Sequence, residues 1–140
     1  MRNSARFAAP VLAAALAAFA GQARACGACA EDRVAAVYDH AVVEGAARRG
    51  HGVAFLALEG SLPFDGQRGR AVRAALAAAT GVDRGTVRVS VENASCSAAF
   101  DPARASVETI VAEVNRRLAR RGLAVASLRI GGGGKAMQAD

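Results

Sequence analysis

Tryptophan is absent and tyrosine occurs once, so the aromatic surface that stacks nucleic-acid bases is missing. Only two histidines, His40 and His51, are present, and no Ser-His-Asp or paired-carboxylate constellation stands out, which leaves a hydrolase little to work with. The apolar run at residues 7–19 is too short to span a bilayer. Aromatic residues make up 4% of the chain, and the apolar content is mostly Ala and Val. A core built from such residues must be thin, with elements approaching closely. Cysteine occurs three times, so an oxidising compartment allows at most one intramolecular disulfide and leaves a thiol over.

What is present begins with a three-part N-terminal pattern. Arg2 and Arg6 precede the apolar run, and small residues follow at Ala18-Phe19-Ala20 and Ala23-Arg24-Ala25. This is the grammar of a secretory signal peptide. The polar spacer at residues 21–24 favours cleavage after Ala25 over Ala20, giving a mature chain that starts at Cys26 and works in the periplasm or outside the cell. Ala23 stands where lipid attachment to Cys26 would want a leucine-like residue, which disfavours a lipoprotein. Loss of Arg2, Arg6 and Arg24 lowers the basic count from 18 to 15 against 12 acidic residues, taking the formal charge from +6 to +3. The remaining arginines are spread in pairs at Arg48-Arg49, Arg116-Arg117 and Arg120-Arg121, the pattern of solvated helix faces. Neither a nucleic-acid partner nor a membrane span is expected.

Apolar residues Val34, Val37, Tyr38, Ala41 and Val42 recur at helical spacing and predict one helix over residues 30–48. Residues 53–58 form a continuous apolar run between glycines, as a buried strand does. Residues 59–69 hold Pro63 and glycines and read as an irregular loop, followed by a helix over 70–79 closed by Thr80-Gly81. Alternation at residues 86–92, with Val87, Val89 and Val91 on one side, predicts a strand wet on its other face. Asn93 and Ala94 then turn the chain into a second strand over 95–100, completing a hairpin. A helix over 106–121, with Ser106 as N-cap and Gly122 as stop, precedes a last strand over 123–130.

That order predicts an α+β fold: a ferredoxin-like βαββαβ sandwich over residues 53–130, preceded by a Cys-x-x-Cys segment and helix over 26–52 and followed by a flexible tail over 131–140. The run Gly81-Val82, the alternating 86–92, Ala99-Phe100-Asp101-Pro102-Ala103-Arg104-Ala105-Ser106 and the valine-rich second helix resemble the heavy-metal-associated domain family, in particular its periplasmic mercury-binding proteins and copper chaperones. The resemblance implies soft-metal binding between two cysteines of a loop after the first strand. In this chain that loop reads Ser61-Leu62-Pro63-Phe64-Asp65-Gly66 and holds no thiol.

A Cys-x-x-Cys exists elsewhere, as Cys26-Gly27-Ala28-Cys29. Two intervening residues let both sulfurs reach one ion or each other, and thiolate pairs take Cu(I) or Hg(II), or Zn(II) with added ligands. A free amine on Cys26 would chelate beside its own sulfur. Three uses of the pair stay open: metal binding, a structural disulfide (within the pair or to Cys96), and thiol-disulfide exchange. Cys96 shares strand parity with Ala98 and Phe100 and so points inward, either as a buried small side chain or as a third ligand or resolving thiol. His40 lies too far along its helix from Cys29 to share an ion, and His51 and Met137 are weaker ligand candidates. Gly131 to Gly134 precede Lys135 but no helix follows, so they do not form a phosphate loop. The reading that follows is a periplasmic carrier or sequestering protein for copper or mercury, not an enzyme, with Cys26, Cys29 and Cys96 as metal ligands and a metal-donor or metal-acceptor protein as partner. The alternatives are a non-catalytic protein-interaction module with structural cysteines and a thiol-disulfide exchange partner.

Overall fold

A computed structural model of the chain describes residues 30–61 and 64–132. The expected signal peptide, its cleavage sites, Cys26, Cys29 and the tail from residue 133 lie outside the described residues.

The order is α1 (Ala30–Val37), α2 (His40–Arg48), β1 (Gly52–Gly60), α3 (Gly66–Ala77), β2 (Arg88–Ser90), β3 (Ser95–Phe100), α4 (Val107–Leu118) and β4 (Leu123–Gly132). The strands form one antiparallel sheet in the order β2-β3-β1-β4. From β1 onward this is the ferredoxin-like βαββαβ arrangement, with α3 and α4 on one face.

The strand β1 explains the layering. Its even positions Ala54, Leu56 and Leu58 join a core with Val72 and Leu76 of α3 and Ile110, Val114 and Leu118 of α4. Its odd positions Val53 and Phe55 face the other way, against Val34, Val37 and Ala46 of α1 and α2. Successive strand side chains alternate faces, so a run that is apolar throughout requires cover on both. The two N-terminal helices supply the second cover.

The helix expected over residues 30–48 is two helices, because the apolar spacing runs on through a break. Asp39 adopts extended backbone (φ −130°, ψ 110°), and its carboxylate accepts from the Val42 amide at 3.2 Å, capping α2. Just before the break, the buried Ser97 hydroxyl donates to the Val37 carbonyl at 2.8 Å, satisfying an acceptor at the end of α1. Tyr38, in the break, is 51% exposed and lies stacked over Phe55 at 6.4 Å between ring centroids.

Two more boundaries differ from expectation. The loop after β1 is shorter than 59–69: β1 continues to Gly60, and α3 starts at Gly66 with Asp65 as its N-cap, accepting from the Arg68 amide at 2.8 Å. The strand expected over 86–92 is reduced to the three residues of β2, preceded by a 3-10 turn over Arg84–Thr86. On its other face Arg88 and Ser90 are half-buried, and Glu92 beyond the strand is exposed. Arg88 donates through Nε and Nη2 to one Asp39 oxygen, at 3.1 and 2.8 Å. The C-terminal half meets expectation: Ser106 caps α4 by accepting from the Thr109 amide at 3.2 Å, and Gly122 at φ +64° turns the chain into β4.

Candidate functional site

The thiol that the structure describes is Cys96, in the middle of β3. Its lateral partners in the ladder are Val89 of β2 and Leu56 of β1. Its side chain is fully buried in the core beneath α3 and α4, together with Ala98 and Phe100, as strand parity requires. Burial pushes the thiol pKa up from 9.0 to about 12, because a thiolate there would lose its hydration without gaining a partner. Cys96 therefore keeps its proton at any physiological pH and fills space as a small apolar group.

The Cys-x-x-Cys segment is joined to the opposite face. Cys29 is one residue before the described start of α1, whose Val34 and Val37 are anchored on Val53, Phe55 and Ala99. The sheet thus stands between the layer that continues from Cys29 and the side chain of Cys96. A ligand role for Cys96 would require the α3–α4 layer to open. Among the described residues no group of three or more His, Cys, Asp or Glu could hold a metal ion.

The two histidines are also separate. His40 lies on the exposed side of α2, with its Nδ1 3.4 Å from the Tyr38 hydroxyl and its Nε2 3.1 Å from Glu44. His51 follows α2, its amide donating to the Ala46 carbonyl at 2.9 Å, and its Nδ1 is buried without a hydrogen-bond partner among the described residues. The loop at the position of the resembled family's metal site has Asp65 committed to capping α3 and the Ser61 carbonyl accepting from the Arg68 guanidinium.

No family model and no curated protein matches the chain.

Two features of the structure had little signal in the sequence. One is the Asp39–Arg88 tie, which joins α2 to the edge strand across 49 residues of chain. The Val42 amide and the Arg88 guanidinium beside Asp39 hold its carboxyl below the ordinary value. The Asp that interrupts an apolar helical stripe was the available hint. The other is a groove between α3 and α4, described below. Chemically, the described body offers a scaffold whose own thiol is withdrawn into the core.

Proposed function

We propose that this chain is an exported soft-metal-binding protein that carries or sequesters Cu(I) or Hg(II) through the thiolates of Cys26 and Cys29. The observation that carries the reading is the sealing of Cys96 in the α3–α4 core, set against a Cys-x-x-Cys pair one residue before α1. Sulfur chemistry is then confined to one end of a rigid ferredoxin-like body, the same body on which the resembled heavy-metal-associated domains carry their thiols. An ion held by two thiolates keeps coordination positions open. A partner's thiolate can add to it before one of the original metal–sulfur bonds breaks, so the ion passes between a donor and an acceptor protein without being released and with no change of oxidation state. Glu31 and Asp32, in the first turn of α1, favour cations near that end of the molecule.

Anaerobic titration of the reduced protein with Cu(I), and in parallel with Hg(II), tests the proposal. One equivalent is expected to bind tightly to the wild type and to Cys96→Ala, and to be lost from Cys26→Ser/Cys29→Ser. Tight binding that survives in the double variant refutes it. Intact mass of the secreted protein reports the cleavage site, any lipid and the number of oxidised thiols. A permanent Cys26–Cys29 disulfide would instead favour the structural role of the pair.

A further inference from the structure

The two helical layers differ in charge. Counting their capping residues, α1 and α2 carry four acidic side chains (Glu31, Asp32, Asp39, Glu44) and three basic ones (Arg33, Arg48, Arg49). The α3–α4 layer, from Asp65 to the turn after α4, carries three acidic and seven basic residues on its helices and caps. The difference deepens once partners are considered. On the N-terminal side Arg88 is bound to Asp39, Arg49 to Asp83 and Arg48 to Glu44. On the α3–α4 side the carboxylates of Asp65 and Glu113 are engaged by backbone amides, of Arg68 and Thr80 respectively. Arg70, Arg116, Arg120 and Arg121 are exposed and form no ion pair among the described residues.

Between these helices runs an open groove of about 240 Å³, floored by Ala71, Ala74, Ala75 and Leu118 and walled by Arg117 and Arg121. Alanines on α3 let the groove form, since any longer side chain would fill it. Arg117 is held over it by donating to the Ala78 carbonyl at 3.3 Å. Two guanidiniums beside an apolar floor match a carboxylate adjacent to an aliphatic side chain: the fork geometry of Arg suits carboxylate oxygens, and the floor suits a methyl-bearing chain.

We infer that the α3–α4 groove docks an acidic polypeptide segment of a partner protein, one aliphatic side chain seated on the alanine floor and flanking carboxylates on Arg117 and Arg121. Neither α3 nor α4 carries an aromatic side chain on which a nucleic-acid base could stack. A membrane would find no large apolar anchor, because the exposed large hydrophobic residue among those described, Tyr38, belongs to the opposite layer. The surface rests on the α3–α4 layer alone and so stands apart from the metal proposal.

The probe is a fluorescein-labelled, glutamate-rich synthetic peptide carrying one leucine, followed by fluorescence anisotropy at low salt. Binding is expected to weaken about tenfold in Arg117→Gln/Arg121→Gln, the equivalent of roughly one charge-assisted hydrogen bond. Ala74→Leu, which fills the groove from an exposed helical position, and a peptide with glycine in place of leucine are expected to weaken it as well. Arg48→Gln on the other layer is expected to leave it unchanged. Arg121→Glu serves as a second charge test, because Arg121 has no partner among the described residues whose loss could unfold the protein; circular dichroism checks each variant. The inference is overturned if the peptide does not bind, if Arg48→Gln weakens binding as much as the double variant, or if phosphatidylglycerol vesicles or a single-stranded oligonucleotide bind more tightly with the same dependence on Arg117 and Arg121.

Discussion

Alkylation of the native, reduced protein with iodoacetamide should separate its three cysteines into two classes. The thiolate is the reacting species, so the first factor is ionisation. At about pH 8 a thiol with the ordinary value of 9.0 is roughly one-tenth thiolate, whereas Cys96 at about 12 has about one part in ten thousand, a difference near a thousandfold. Access multiplies this. Cys96 lies under Leu76, Ile110 and Val114 in one cluster, so the reagent reaches it only when the α3–α4 layer leaves the sheet, an opening that approaches the global unfolding free energy of roughly 5–15 kcal/mol. Timed quenching, proteolysis and peptide mass measurement give the rates site by site. Cys96 should react at least about a thousandfold more slowly than Cys26 and Cys29 in the native protein, and at a comparable rate in concentrated urea. Equal rates under native conditions would refute the burial argument and return Cys96 to the pool of usable ligands.

The same buried proton makes stability depend on alkaline pH. Folding raises the Cys96 pKa, so the unfolded chain loses this proton first, and the contribution is fully present below pH 9.0 and lost as pH rises towards about 12. Between those two values the loss is on the order of 4 kcal/mol. Urea midpoints measured across that range should fall more steeply for the wild type than for Cys96→Ala. Parallel curves would refute the shift.

The other expectations concern how the layers are fastened. Asp39→Ala removes both the α2 cap and the Arg88 link, so its urea midpoint should lie below that of the wild type at neutral pH. Because folding lowers the Asp39 pKa, that advantage is present above 3.8 and disappears as pH falls below it, where the two denaturation curves should converge. Gly69→Ala should destabilise by about 1 kcal/mol although helix propensity alone would gain nearly that much, since overpacking costs about 1–3 kcal/mol. The added Cβ would stand 2.7 Å from Val91 Cγ1. Val91→Ala in the same chain should recover the propensity gain, and a double-mutant cycle without coupling would show that α3 can shift instead.

Much of the ferredoxin-like body could be read from local signals because local chemistry builds it. Ser106 and Gly122 stand where a cap and a left-handed stop are needed, and the stripe between them is the buried side of α4. The inward parity of Cys96 followed from that of Phe100. Errors came where tertiary contacts outweighed pattern. Val34, Val37 and Val42 keep helical spacing across Tyr38 and Asp39, so periodicity alone joins two helices that Asp39 divides. At the start of α3, Gly66 and Gly69 obscured a helix whose cue was Asp65. Strand β2 is short because it pairs with only Ser95, Cys96 and Ser97 of β3, and the alternation beyond Ser90 continues without a partner.

The least legible feature, the docking of α1 and α2 on the second face, is the one that bears most on the site. The all-apolar run from Val53 to Leu58 demanded cover on both faces, yet nothing local states which segment provides it. With that cover in place β1 is buried on both faces, and Cys96 is separated from α1 by the sheet itself. Both proposals accordingly use the periphery: the thiols that precede α1, and the arginine-lined groove on the outside of α3 and α4. The α1–α2 layer has the smaller buried cluster and is secured by polar ties that include Ser97 to Val37, Arg88 to Asp39 and Arg49 to Asp83. Local stability follows buried apolar contact, so hydrogen exchange should release the amides of α1 and α2 well before those of α4. Equal protection of the two layers would mean that the N-terminal helices are an integral part of the core and not an added cover.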